Sequence, residues 1–430
     1  MSTVEQRGRD RVAVVSHSHP SVSKGGAEVA AFALYSGLLE LGVDAIFVAA
    51  CSEEDRSRIW LGSPREHAII YRPRRYDHFY QLAHFETAAE LAALLERERV
   101  TIVNFHHFFN FGMGAVRAIA ARPDITTVLT LHEFLAICHN HGQMVTRPAQ
   151  NLCERSTPSA CSTCFPEHTR QQFALRKMSI LNVLRQCDGF ISPSRFLAER
   201  FAEWGLDGAR ITMIENGLQR LSLRTRTPRK YDGRPWVFGY FGQINPFKGV
   251  DILLRAADLL ARDEDLKGRV QFRLHGNLVG DNAAVRERVA RDDSGGSSVA
   301  WSGPYDNENV GRLMGECDYV VVPSKWWENS PVVIQEAFAA GCPVICSGIG
   351  GMAEKAPEGW GGLHFRVGDA YDLARTLRKA ADPAVHEAIQ SLLPTPYDHA
   401  EMARRYIAFF DYVGGRAHIG MESEATALVS

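Results

Sequence analysis

Residues 318–347 read DYVVVPSKWWENSPVVIQEAFAAGCPVICS. The run Asp318–Ser324 is dominated by valines and reads as a buried strand, and Pro343–Ser347 reads as a second. Between them Ser330 suits a helix N-cap and Pro331 the first helical position, so a helix is expected to start there. Strand, loop, helix and strand in this order form the building unit of a parallel sheet covered on both faces.

The same unit recurs along the chain. Strand-like runs stand at Arg11–Ser18, Val43–Ala50, Val100–His106, Thr126–His132 and Gly189–Ser194, with helical stretches between most of them. The pattern restarts with a strand at Trp236–Gly242, a helix from Lys248 to near Ala261, and strands at Val270–Gly276 and Val299–Gly303. The expected fold class is α/β: two Rossmann-like doubly wound domains, residues 1–217 and 236–395, facing across a cleft and joined by a linker at 218–235. His399–Val413 is amphipathic, so residues 396–415 are expected to hold a C-terminal helix packing back on the body, with a mobile tail at 416–430. Ligands of doubly wound sheets bind beyond the carboxyl ends of the strands, which makes the cleft the expected site.

Composition narrows the class of partner. A net charge of −2 over 430 residues gives no basic footprint for nucleic acid. No apolar run reaches the ~20 residues that span a bilayer, and Met1–Asp10 lacks the apolar core of a signal peptide. Nine cysteines, most of them single, suggest a reducing cytoplasm. Arg220, Arg224, Arg226, Arg229, Lys230 and Arg234 read as a solvated linker; a weak contact with anionic lipid or a phosphate-bearing acceptor is the second reading. A cytoplasmic protein, peripheral at the inner face of the membrane at most, is therefore expected.

A helix start at Ser330–Pro331 would aim free amides at an anion such as a diphosphate. Glu328 lies before that helix and Glu336 about two turns into it, so the two carboxylates suit hydroxyl groups at separate points of one extended ligand. Glu328-x7-Glu336, followed by Ala337 to Val344, resembles the E-x7-E signature of retaining glycosyltransferases of the GT-B fold, family 4, also described as glycosyl transferases group 1. The resemblance implies that Glu328 contacts the donor sugar and Glu336 the nucleotide ribose. Where many relatives carry Gly this chain has Pro331, which has no N–H, so Asn329, Ser330, Val332 and Val333 are left to bind the phosphates.

Other segments agree with this resemblance. Gly242-Gln243 and Lys248-Gly249 resemble the family's G-[RQ]-x(4)-K-G loop, which implies a phosphate role for Lys248 and a weaker one for Gln243, standing where Arg is commoner. Gly25-Gly26-Ala27-Glu28 resembles the GG-x-E loop at the donor phosphates, although a plain tight turn explains paired glycines equally well. His132, in Thr130-Leu131-His132-Glu133, occupies the place of a His that touches the donor sugar in similar enzymes. His17, His19, His106 and His107 also fall at strand ends.

Cys138, Cys153, Cys161 and Cys164 cluster in an insert at 138–168 with spacing C-x14-C-x7-C-x2-C. The last pair has chelating spacing, so a structural zinc and four separate thiols are equal readings. The resemblance implies a hexosyltransferase-type enzyme with a nucleoside-diphosphate sugar donor, a glycan or lipid-linked acceptor and no cofactor for catalysis, acting in envelope or exopolysaccharide synthesis. A nucleotide-sugar 2-epimerase of the same architecture and a non-catalytic sugar-nucleotide-binding subunit are the alternatives; retention of Lys248, Glu328 and Glu336 speaks against the second.

Overall fold

The chain forms two sheets, each made of parallel strands in a doubly wound order. The structure is a computed structural model that describes residues 10–23, 25–219, 233–280, 285–288 and 299–415. These fall into two compact units: one runs through Gln219 and takes up the residues from Tyr397 onward, and the second runs up to Pro396. Arg220 to Lys230 of the basic stretch and the tail at 416–430 lie outside the described residues.

In the first unit β1 (Arg11–Ser16), β2 (Asp44–Ser52), β3 (Glu66–Tyr71), β4 (Ile102–Phe105), β5 (Thr126–Thr130), β6 (Gly189–Ser192) and β7 (Ile211–Met213) stand in the order β3-β2-β1-β4-β5-β6-β7. In the second, β8 (Trp236–Phe241), β9 (Val270–His275), β10 (Val299–Trp301), β11 (Tyr319–Val322), β12 (Val344–Ser347) and β13 (Gly362–Phe365) stand in the order β10-β9-β8-β11-β12-β13. Every pairing is parallel. Each order reverses direction once, between β1 and β4 and between β8 and β11. Such a reversal opens a crevice at the carboxyl ends of the two strands.

Both faces of each sheet are covered, which is why the strands read as continuous apolar runs. In β8, Trp236, Phe238 and Tyr240 join one core cluster while Val237 and Phe241 join another on the opposite face. The His399–Val413 helix buries Met402, Ala403, Tyr406, Phe409 and Phe410 in the core of the first unit, beside Leu34 and Tyr35 of the Gly26–Glu40 helix. Asp398 caps it, accepting from the Glu401 N–H at 2.6 Å. Among the described residues no helix is long and apolar enough to cross a membrane.

Arg234, exposed at the end of the linker, also holds an ion pair. Its guanidinium lies 3.2 Å from the buried carboxylate of Asp318, whose other oxygen accepts the Val237 N–H at 2.9 Å. The pair ties the entry of β8 to the start of β11 at the switch point.

Candidate active site

The second unit's switch point is built from two loops zipped together. After β8 the chain turns through Asn245, whose Oδ1 accepts the N–H groups of Phe247 and Lys248 at 3.0 and 3.2 Å. Gly249 then takes φ +69° and caps the Val250–Leu260 helix. Its missing Cβ matters twice: the conformation is left-handed, and a methyl group there would run into the Pro323 carbonyl oxygen. The Lys325 N–H donates to the Phe247 carbonyl at 2.7 Å, and the rings of Phe247 and Trp326 stack at 5.3 Å. Lys248 therefore does not open the helix as the sequence suggested. Positive φ at Gly249 places it in the preceding turn, facing the β11 loop.

There Lys248 meets Glu328. Glu328 Oε1 accepts from Lys248 Nζ at 2.5 Å, Trp326 Nε1 at 2.7 Å and Ser324 Oγ at 2.8 Å. Burial alone would raise this carboxyl's pKa. The Lys248 charge and the three donors together outweigh burial and hold it below the usual carboxylate range. Lys248 also lies 5.3 Å from the Trp326 ring centroid. The backbone is fixed from the far side, where the Gly351 N–H donates to the Glu328 carbonyl at 2.8 Å.

The helix after Glu328 starts one residue later than expected. It spans Val332–Ala339 with Pro331 at the cap, at ψ 112°. Ser330 does not cap it, and Asn329 and Ser330 stand in the approach to it. Pro331 instead supplies a carbonyl to the Ile334 N–H at 3.0 Å. Among the described residues the N–H groups of Val332 and Val333 have no hydrogen-bond partner, so these two form the exposed positive end. Glu336 lies little more than one turn into the helix rather than two. Its carboxyl group has no ionic or hydrogen-bond partner among the described residues, and burial pushes its pKa up to about 7. Gln243 is exposed; its carbonyl accepts the Tyr240 hydroxyl at 2.7 Å.

In the first unit the strand ends carry histidines. His17 follows β1, His106 and His107 follow β4, and His132 follows β5. Strands expected to reach His106 and His132 stop short of them, at Phe105 and Thr130. His106 Nδ1 lies 2.8 Å from His132 Nε2, with the rings stacked at 5.0 Å. Burial, with the neighbouring His107 and His17, pulls His132 down to about 3, so it stays a neutral imidazole. His17 lies 3.3 Å from Glu28 Oε1, which also accepts from Ser23 Oγ at 2.5 Å. Burial opposes ionisation of Glu28, but His17 and Ser23 prevail and bring it to about 2. Gly25 caps the helix that begins at Gly26, and it has no room for a Cβ beside the Glu28 carboxylate; Gly26 faces open space. His19 turns away and pairs with Glu66.

A model described as glycosyl transferases group 1 matches residues 235–382, and one described as glycosyltransferase family 4 matches residues 24–219. The chain belongs to the group 1 glycosyltransferases. A D-inositol 3-phosphate glycosyltransferase of Stackebrandtia nassauensis is 26% identical, over 67% of this chain and 68% of the relative. One of Nocardioides sp. is 29% identical, over 41% of this chain and 42% of the relative. Matches to these curated relatives thus span about two-fifths to two-thirds of their length. Among solved structures, Anabaena Alr3699/HepE in complex with UDP covers 94% of this chain and 100% of its own, with TM-score 0.66 and 17% identity. Sucrose-phosphate synthase of Thermosynechococcus elongatus covers 95% and 100%, with TM-score 0.68 and 18% identity. These likenesses are of fold, and the fold is the GT-B fold that the sequence resembled.

The cysteine cluster of this group 1 glycosyltransferase lies in the first unit. Cys161 and Cys164, on the short Pro158–Cys164 helix, pack against the rings of Phe79, Phe165 and Phe173. The Arg147 N–H donates to Cys164 Sγ at 3.0 Å, and Ser156 Oγ lies 3.2 Å from Cys161 Sγ. Burial pushes the Cys138 thiol up to about 12 and raises Cys153 and Cys161. Among the described residues no group of three or more His, Cys, Asp or Glu is arranged to hold a metal ion; a structural zinc and four separate thiols are equal readings of Cys138, Cys153, Cys161 and Cys164 in the sequence. The thiols lie in and beside a small apolar cluster that seats the insert. Sequence reading also missed Ser324, Trp326 and Phe247 as the setting of Glu328, and Gly351 as its backbone anchor. A glycine pair opening a helix after β12 was the available signal for the last.

Proposed function

We propose that this protein transfers a sugar from a nucleoside-diphosphate sugar to an acceptor hydroxyl with retention of anomeric configuration, in the synthesis of envelope or exopolysaccharide glycan at the cytoplasmic face of the membrane. The observation that carries this reading is the pairing of Lys248 with Glu328 beside the unpaired amides of Val332 and Val333. The cation and the helix end suit a leaving diphosphate. Oε1 of Glu328 takes its three donors, and among the described residues Oε2 is left for a sugar hydroxyl. Glu336, one helical turn away, suits the ribose. UDP bound by the structurally similar HepE supports a nucleotide donor.

In this scheme the bond from the anomeric carbon to the diphosphate oxygen breaks, and the bond to the acceptor oxygen forms on the same face. The acceptor proton passes to the departing diphosphate, whose charge Lys248 and the amides stabilise. Glu328→Gln keeps the shape and removes the charge. Its donor turnover, followed with UDP-, GDP- and ADP-sugars, is expected to fall about 10²- to 10³-fold. Wild-type turnover in Glu328→Gln, or an inverted anomer by NMR, would overturn the reading.

A further inference from the structure

Three donors meet on Glu328 Oε1, and they differ in how firmly each is held. Lys248 Nζ, at 2.5 Å, ends a flexible stem, and its side chain is 28% exposed against 13% for Glu328. Ser324 Oγ, at 2.8 Å, belongs to a buried residue, but a hydroxyl rotates and accepts as readily as it donates. Trp326 Nε1, at 2.7 Å, can only donate, and only in the plane of its ring.

That ring is pinned. It stacks on Phe247 at 5.3 Å with 10° between the planes. Beside it the Lys325 N–H donates to the Phe247 carbonyl at 2.7 Å. Lys325 Nζ lies 3.1 Å from Asp251 Oδ1, in the first turn of the Val250–Leu260 helix. On the other side the Gly351 N–H holds the Glu328 carbonyl. Donor and acceptor of the Trp326–Glu328 bond are therefore fixed by contacts that do not involve Lys248.

This matters when a diphosphate arrives. Lys248 cannot give its full charge to the diphosphate while it is paired with Glu328. It lies 5.3 Å from the Trp326 ring centroid, so a swing across the ring face keeps a cation–π attraction on the way. Once Lys248 has gone, burial favours the protonated carboxyl, and the Trp326 N–H and Ser324 hydroxyl oppose it. Tyr240, at the end of β8, also faces this carboxylate; burial keeps it a neutral phenol, so it brings no replacement charge.

We propose that Trp326 is a positioning residue for the transfer: its indole N–H keeps Glu328 ionised, with Oε2 turned to the ligand, while Lys248 moves from Glu328 to the diphosphate. The word transfer rests on the reading above; the hold on Glu328 in the nucleotide-bound state is separable from it.

The test uses the full chain with two replacements. Trp326→Phe keeps an aromatic ring and loses the N–H. Benzothienylalanine, introduced at position 326 by codon suppression, keeps the bicyclic shape and puts sulfur in place of the N–H. Donor turnover is followed against pH with UDP-glucose, GDP-mannose and ADP-glucose. In both variants kcat should fall about ten- to a hundredfold, with donor KM within about threefold of the wild type. The acid limb of kcat, which reports the bound enzyme, should move up by about one pH unit. That of kcat/KM, which reports the free enzyme with Lys248 still in place, should move by about half as much or less. A role confined to packing would spare the benzothienyl enzyme. Wild-type kcat in that enzyme, or acid limbs that move by the same amount, would overturn the proposal.

A second measurement needs no turnover. In nitrogen-15-labelled wild type the Trp326 indole N–H is the resonance missing from the variants' spectra. It should stay protected from hydrogen exchange as UDP, GDP or ADP is added; loss of protection on binding would equally overturn the proposal. A wild type that binds nucleotide but turns over none of the three donors sinks the transferase reading, and the titration still decides whether Trp326 holds Glu328. A wild type that binds none of the nucleotides sinks both.

Discussion

Glu328 and Glu336 stand at two ends of one short segment, yet the protein treats their carboxylates in opposite ways. At Glu328 three donors converge on a single oxygen, and the acid is held below its usual range. At Glu336 the carboxyl group has no partner among the described residues, and burial raises the acid to about 7. The difference comes from the β8 loop, which brings Lys248 to one end and nothing to the other. The first end is already charged and ordered, so a ligand there must exchange with an existing ion pair. The second end is about half protonated near pH 7, and a ligand that donates hydrogen bonds can complete its ionisation.

Removing Lys248 should break this contrast most severely. Lys248→Ala is expected to lower donor turnover about 10²- to 10³-fold through loss of leaving-group stabilisation. It should also cost about 1–3 kcal/mol of stability, because Glu328 is left largely buried without its counter-charge. The sign with pH follows from the lowered acid. In the wild type the stabilisation from Glu328 is complete above the ordinary carboxylate range and is lost as pH falls through the depressed value. Urea unfolding across the acid limb should therefore show a shallower decline in Lys248→Ala. A variant with wild-type turnover would take the cation out of the mechanism.

The sequence revealed the sheets' centres better than their edges. Every strand it missed lies at an edge: β3 and β7 in the first sheet and β13 in the second. Central strands are covered on both faces and spell continuous apolar runs. Edge strands mix in polar residues, as in Glu66-His67-Ala68-Ile69-Ile70-Tyr71, or are as short as Ile211-Thr212-Met213. The helix expected at His399–Val413 is seen over the same residues, because its apolar spacing and the Asp398 cap are local signals. Glu328 and Lys248 were legible singly, through the resemblance. That they touch was not, because contact between residues so far apart in sequence depends on how Gly249 packs on Pro323. The pairing of His106 with His132 was hidden for the same reason.

The Glu336 end can be tested by pH. For an acid whose folded value is raised, the fold favours the protonated form, so stability falls as pH rises from the unfolded value near 4.5 to about 7. Glu336→Gln removes that penalty and should be about 1–3 kcal/mol more stable than the wild type at pH 8, with no gain at pH 4. Ribose hydroxyls would favour the ionised carboxylate, so UDP affinity in the wild type should rise through pH 7 with release of a proton. Calorimetry in buffers of different ionisation enthalpy reads that proton directly. In Glu336→Gln both the release and the pH dependence should vanish, with affinity lower by about tenfold at pH 8. A pH-independent wild type would separate Glu336 from the ribose.

Gln243 sharpens the comparison with the smallest effect. Its contact with Tyr240 is made by the backbone carbonyl and survives any side-chain change. Gln243→Ala should thus alter stability by less than about 0.5 kcal/mol. If the β8 loop faces the phosphates while Lys248 is committed to Glu328, a second cation at this exposed position should supply what the ion pair withholds. Gln243→Arg is then expected to tighten UDP binding about three- to tenfold at low salt, with the gain fading as ionic strength rises. No gain at low salt would mean that this end of the loop looks away from the diphosphate, and that Lys248 must leave Glu328 for the nucleotide to be held at all.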